Sequence, residues 1–282
     1  MRITMFEPKD NKERGIFLST YGNRITLSSN PHPPQDSAGA DIRYVALQAA
    51  FTLLTLGDQN TSMDFGLLGT YGKLVFIAKN KEGSQKNMLD KWLLTAYGNI
   101  QHDSGIYANT FLSYGIFKSN IPTALTKNTK KANDLRTLGA SITIGQKLPT
   151  SVERITLEPQ AQLVYQHLIF STLPDDESFK VNMGNFYQWL LRIGGRLTQN
   201  KGHAVSFYGK LNFIKAFDNE KTMQIGEGFQ LASIGTSLEG GLGINAHLSQ
   251  NIGFHTDVSY QHKLKKVGVS GIYVSVGMRY RF

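Results

Sequence analysis

From Ile252 onward, two kinds of side chain alternate along the chain. The even positions read Ile252, Phe254, Thr256, Val258 and Tyr260, and the odd positions read Gly253, His255, Asp257, Ser259 and Gln261. The last segment repeats the pattern. Ile272, Val274, Val276, Met278, Tyr280 and Phe282 face one way, and Gly271, Tyr273, Ser275, Gly277, Arg279 and Arg281 face the other. Further upstream, Val205, Phe207, Gly209, Leu211 and Phe213 oppose Ser206, Tyr208, Lys210 and Asn212. A period of two sends successive side chains to opposite faces of a strand, and helical spacing fits none of these segments.

Continued along the chain, the pattern predicts about twelve strands. They span Gly15 to Ser28, Asp41 to Leu56, Ser62 to Ala78, Met88 to His102, Gly105 to Ser119, Asn133 to Gln146 and Glu153 to Ser171. The rest are Asn185 to Thr198, His203 to Phe217, Leu231 to Leu248, Asn251 to Lys263 and Gly268 to Phe282. The first three alternate poorly, so their registers are weakly defined. Many strands far exceed the globular norm of about 5–6 residues. A membrane-crossing strand, tilted by about 45°, needs about 9–11.

The connections sort into two alternating classes. Short ones follow even strands, at Gly57 to Asn60, Asp103-Ser104, Gln199 to Gly202 and Ser249-Gln250. Long polar ones follow most odd strands, at Ser29 to Ala40, Lys79 to Asn87, Asn120 to Ala132, Thr172 to Gly184 and Asp218 to Gln230. Bacterial outer-membrane barrels have short periplasmic turns and longer outside loops. An even strand count puts both termini on the short-turn side. Within a bilayer every backbone N–H and C=O must be paired, so the sheet has to close on itself. The apolar faces then meet lipid, where Arg or Lys near midplane costs about 2–4 kcal/mol. In the well-phased strands the charged Glu158, Arg192, Arg196, Lys210, Glu239, Asp257, Arg279 and Arg281 fall in the polar, lumen-facing set. The expected fold is an all-β, antiparallel, transmembrane outer-membrane barrel over residues 15–282, integral to the Gram-negative outer membrane.

Composition changes the picture little. No run of about 18 apolar residues exists for a transmembrane helix. Met1 to Arg14 holds Glu7, Asp10 and Glu13 without an apolar core, so it does not read as a signal peptide. The absence of Cys excludes disulfides and Cys-ligated metals. A net charge of +9 invites a nucleic-acid reading, but the basic residues are scattered over loops and alternating strands rather than gathered in one patch.

Three stretches carry a family resemblance. Leu157-Glu158-Pro159-Gln160-Ala161-Gln162-Leu163-Val164-Tyr165 resembles the "EPQAQL-x-Y" strand of autotransporter (type V secretion) translocator domains. Leu190-Leu191-Arg192-Ile193-Gly194-Gly195-Arg196-Leu197, with Phe207 to Lys210 after it, is similar to that family's "R-x-G-x-R" strand and next hairpin. Ala232 to Leu248, then Gly271 to Phe282 ending in "G-x-R-Y-R-F", resembles its last strands. The resemblance covers Glu153 to Phe282 by motif and Gly15 to Gln146 by strand rhythm. It implies a twelve-stranded pore that anchors an N-terminal passenger and translocates it to the cell surface, with a linker helix threading the lumen. Residues 1–14 are then a leader or the tail of that linker, and the chain is the translocation unit alone. The resemblance also implies that Tyr280 and Phe282, on an amphipathic last strand, serve as a signal to the barrel-assembly machinery.

Candidate chemistry is sparse. His255 and Asp257 share a strand face, which by itself says only that both point into the lumen. Some members of the resembled family cut their own linker after an Asn with the help of lumen acids, a part open to Glu158, Glu239 and Asp257. The linker with its Asn is expected to be missing here, so no enzyme activity is expected. The seven His lack metal spacing, and no cofactor is expected. Gly240-Gly241-Leu242-Gly243 has no strand–loop–helix context and is read as thinning the wall for close packing against a plug or a neighbouring strand. The basic Lys127, Lys130, Lys131, Lys263, Lys265 and Lys266 are solvated or pair with lipid phosphates. Expected partners are outer-membrane lipids and lipopolysaccharide, the assembly machinery, and the chain's own passenger and linker helix; the barrel is expected to be a monomer that binds no nucleic acid. Rival readings are a free-standing porin and an outer-membrane hydrolase.

Overall fold

The computed structural model describes residues 15–28, 39–78, 86–119, 135–170, 186–201, 204–218, 223–224, 230–231 and 235–282. Residues 1–14, expected to be a leader or the tail of a linker, most of each long connection, and Lys127, Lys130 and Lys131 lie outside the described residues. In chain order the strands are β1 (Gly15–Ser28), β2 (Gly39–Gly57), β3 (Thr61–Ala78), β4 (Lys86–His102), β5 (Ile106–Ser119), β6 (Leu135–Gln146) and β7 (Leu148–Pro149). They continue as β8 (Ile155–Phe170), β9 (Phe186–Lys201), β10 (Val205–Asp218), β11 (Met223–Gln224), β12 (Gln230–Leu231), β13 (Gly235–His247) and β14 (Ile252–Arg281).

Eleven of these close into an antiparallel ring, β1 to β6, then β8, β9, β10, β13 and β14, with β14 pairing back onto β1. The two-residue β7 pairs with β8 outside the ring, and β11 pairs only with β12. A closed, all-antiparallel ring requires an even number of passes, so one of the eleven elements must double back. That element is β14. Its first arm, Gly253 to Lys263, pairs with β13, and its second, Gly268 to Arg281, pairs with β1. Drawn straight, 30 residues would run about 100 Å. Instead its ends meet, with Arg281 N–H donating to Asn251 O at 2.9 Å and Asn251 Nδ2 donating to Arg281 O at 2.9 Å. The wall therefore has twelve passes, matching the sequence expectation.

The distribution of side chains is that of a soluble protein turned inside out. Glu239 is 1% exposed while its neighbour Leu242 is 72% exposed. Asn212, His255, Asp257, Ser259 and Gln261 are buried, and Leu94, Leu112, Leu211 and Val258 are exposed. The weak alternation of the first three strands also has a cause. Their lumen faces carry apolar residues: Phe17, Ala50 and Leu68 join Tyr97 and Phe111 in a buried cluster near the short-turn rim. In β2 a bulge between Thr52 and Leu54 leaves both Leu53 and Leu54 outside and shifts the phase by one.

Candidate functional site

Five consecutive passes, β8, β9, β10, β13 and the first arm of β14, set a polar arc on the inner wall. Antiparallel register brings Glu158 opposite Arg196, and Arg196 opposite Lys210. Arg196 Nη2 donates to Glu158 Oε2 at 2.6 Å and Nε does so at 3.2 Å, a two-pronged contact suited to a guanidinium. Lys210 Nζ lies 2.6 Å from both carboxylate oxygens of Asp257. One layer toward the long-connection rim, Arg192 Nη2 lies 3.9 Å from Glu239 Oε2, Arg192 Nη1 donates to Gln162 Oε1 at 2.9 Å, and Asn212 Nδ2 donates to Glu239 Oε1 at 3.3 Å. Of the eight lumen-facing charges expected from sequence, six thus fall into three acid–base pairs. Arg279 and Arg281 lie apart from the arc, opposite Phe17 and Gly15 on the second arm of β14 and β1.

Two tyrosines complete the arc, and sequence reading had given neither a role. Tyr107 Oη donates to Glu158 Oε1 at 2.5 Å, and Tyr208 Oη donates to Asp257 Oδ2 at 3.0 Å. Each ring crosses an intervening pass to reach its acid, and each time the strand crossed presents a glycine. Gly145 stands opposite Tyr107 and Gly243 opposite Tyr208, and a Cβ at either would run into the ring. The same arrangement recurs where Tyr97 passes over Gly66 to meet Thr52 Oγ1 at 2.9 Å. It recurs again where Tyr44 lies over Gly72 and beneath Lys91 Nζ, 5.8 Å from the ring centroid. His255, packed over Gly277, stacks on Phe17 with centroids 5.6 Å apart. Gly243 is thus the expected wall-thinning glycine, serving a neighbouring strand. Gly240 faces outward with open space around it. Period two reveals which face a side chain takes but not that it reaches across two strands, so these tyrosine bridges needed the register.

Toward the long-connection rim the lumen opens into a cavity of about 440 Å³, lined among others by Tyr21, Tyr44, Lys91, Phe117, Arg192 and Ile214. On the short-turn side lie the apolar cluster on β1–β5 and the paired charges of the arc. The arrangement is a wall of fixed, mutually neutralised charges beside a greasy patch, able to hold a polypeptide segment by side-chain contacts. Tyr280 and Phe282 project outward at the short-turn rim, with Phe282 6.3 Å from the Phe51 ring. Among the described residues no group of His, Asp and Glu could hold a metal ion.

Several solved structures share the architecture. The β domain of the Bordetella autotransporter BrkA superposes with a TM-score of 0.74 at 16% identity, over 95% of this chain and 98% of that one. The transport unit of AIDA-I from Escherichia coli gives 0.75 at 18% identity, over 100% and 93%. The translocator domain of NalP from Neisseria meningitidis gives 0.61 at 16%, over 97% and 90%. Among curated proteins, none matches the chain in sequence. At such identities these superpositions speak for the fold alone, whereas the profile of the autotransporter β-domain matches residues 18–259. Neither the porin nor the hydrolase reading finds comparable support. The matched span takes in most of the wall, from β1 into the first arm of β14, and the chain belongs to the autotransporter β-domain family.

Proposed function

We propose that the polar arc is the seat of the passenger's connecting segment, and that the barrel works by holding that segment rather than by chemistry of its own. The barrel anchors its protein in the outer membrane and passes an N-terminal passenger to the cell surface. The observation that carries the reading of the lumen is the pairing of its acids. Glu158 is taken by Arg196 and Tyr107, and Asp257 by Lys210 and Tyr208, so each carboxylate is fixed in place. Carboxylates held in this way present a rigid polar surface and are poorly placed to act as general bases. Residues 1–14 are the end of the connecting segment and 15–282 the barrel. The barrel acts as a monomer, receives help from the barrel-assembly machinery through Tyr280 and Phe282, and binds no nucleic acid.

The test is a tagged passenger fused ahead of Met1 and expressed in cells. With the natural barrel, protease added outside should remove the tag. With Glu158→Gln and Asp257→Asn together, the barrel should still assemble while the passenger stalls inside. A passenger that stays inside with the natural barrel folded would sink the translocation reading. Release of a free passenger that stops with Asp257→Asn alone would show chemistry in the lumen and overturn the holding role.

A further inference from the structure

The outer surface carries a feature that transport does not use. Aromatic pairs of a girdle stand on the outer wall toward the long-connection rim, on β3–β4 and β8–β9. Tyr71 and Trp92 lie with centroids 4.5 Å apart, and Tyr165 and Trp189 4.7 Å apart. Such girdles mark the level where hydrocarbon gives way to headgroups. Beyond it, on the same outward face, come basic residues: Arg24 on β1, Arg43 on β2, Lys73 on β3, Lys118 on β5, Arg136 on β6 and Lys215 on β10. Lys215 Nζ sits 4.9 Å from the Phe217 ring centroid. Lys118 and Arg136 lie one diagonal step apart on paired strands, but only Arg24 and Arg43 among these are direct cross-strand partners. Like charges placed so, about 5 Å apart at Cβ, destabilise a sheet unless an anion lies between them. Lys73 follows on the next strand, one diagonal step away.

The surroundings sharpen the choice of anion. Two carboxylates share the face: Asp41, diagonal to Arg24, accepts from Thr26 Oγ1 at 2.8 Å, and Asp90, opposite Lys73, accepts from Tyr71 Oη at 3.3 Å. Neither forms an ion pair with Arg24, Arg43 or Lys73 among the described residues. Immediately below the arginines, on the lipid-facing side, β1 carries Gly22, with Val45 and Val274 in register on either side, both exposed. The missing side chain leaves a shallow trough between two apolar walls, leading down from the cations to the girdle level at Leu47. Arg43 stands four residues above the girdle level set by Tyr71 and Leu47, about 13 Å along a tilted strand, which is headgroup height.

We propose that Arg24, Arg43 and Lys73 form a site for the phosphate of an outer-leaflet glycolipid, whose acyl chains pass along the Gly22 trough into the hydrocarbon below the girdle. The guanidinium pair grips the phosphate oxygens in fork geometry, Lys73 adds a point charge, and the anion removes the repulsion between the two arginines. The site rests on the long-connection rim facing outward, and the binding test is chosen to be independent of that. Vesicles with the lipid in both leaflets offer it to either rim, so an inverted barrel would still bind.

The experiment refolds the barrel into phosphatidylcholine vesicles titrated with diphosphoryl lipid A and follows the thermal midpoint to obtain an apparent affinity. A cation near an anionic surface contributes about a fivefold factor, so changing Arg24, Arg43 and Lys73 together to Gln should weaken binding about a hundredfold. The matched control, Lys118→Gln with Arg136→Gln and Lys215→Gln, should stay near the natural value. Should the triple variant fail to fold, Arg43→Gln alone should bind about fivefold more weakly, and unchanged binding there overturns the arginine pair. An equal loss in the control reduces the site to a diffuse charged belt. Equal stabilisation by dephosphorylated lipid A removes the phosphate from the proposal, and equal stabilisation by inorganic phosphate without lipid A removes the lipid.

Discussion

Tyr208 reaches Asp257 only because position 243 has no side chain. The pair makes a test of how a lumen is built from single residues. Gly243→Val should push the Tyr208 ring off the wall and cost about 1–3 kcal/mol, the range for overpacking. Tyr208→Phe keeps the ring and loses a hydrogen bond to a carboxylate, about 1.5–3 kcal/mol. With Tyr208→Ala already in place, Gly243→Val should cost almost nothing, because the clash has gone; urea unfolding of the refolded barrel reads all three. Additive costs would show that the glycine serves the backbone instead. Glu158→Gln should be dearer, about 3 kcal/mol, since it leaves the largely buried Arg196 guanidinium without its counter-charge. At this scale the sequence disclosed the face of each charge but not its partner. Glu158 and Arg196 are 38 residues apart, and only the register puts them 2.6 Å from each other. Which acids would be bridged by tyrosines was unreadable for the same reason.

Among the elements, β14 shows how much strand rhythm reveals and where it stops. Period-two alternation located both arms, Asn251 to Lys263 and Gly268 to Phe282, because lipid and lumen demand opposite characters on opposite faces. The same rule located β1 to β3 but left their registers weakly defined, because Phe17, Ala50 and Leu68 put apolar groups on the lumen side and the bulge at Thr52 shifted the phase. A lumen that is partly apolar erases the contrast on which the reading depends. The tiny β7, β11 and β12 have too few residues to show any period. The closing arm also carries a prediction. Phe282 is an outward aromatic beside Phe51 and Tyr280. If it only fills the girdle, deleting it should cost about 1–3 kcal/mol of burial and impair refolding into detergent and assembly in cells alike. As part of an assembly signal, its loss should instead block assembly in cells while refolding stays nearly normal. Normal assembly in cells would remove Phe282 from that role.

Taken whole, the barrel combines an even number of passes with a lumen whose charges are mostly spent on each other, and both properties can be measured. Parity fixes the topology. Asn60 lies in a short connection between β2 and β3, and Asn251 bonds to Arg281 at that same rim, so tags at Asn60 or Asn200 should be shielded in intact cells. Tags at Pro33 or Lys130, in long connections, should be cut by external protease. A single miscounted pass would invert every later connection, so mixed accessibility within one class would break the ring assignment. The charge pattern then sets what the barrel conducts. Arg196, Lys210 and Arg192 are offset by Glu158, Asp257 and Glu239. What tilts the balance is Lys91, held over the Phe117 ring at 5.0 Å, with Arg279 and Arg281, which together outnumber the buried Asp64 on β3. Rings of such residues favour anions. Planar-bilayer recordings of the barrel without a connecting segment should therefore show a small conductance, restricted by the apolar cluster on β1–β5, with a preference for chloride over potassium. Changing Lys91 and Arg279 to Gln should abolish that preference and leave the conductance similar. Neutralising Arg196 and Glu158 together should barely alter selectivity, because it removes one charge of each sign. A barrel whose selectivity followed the Arg196–Glu158 pair, or one that conducted nothing, would mean that the lumen is not the charged passage described by these contacts.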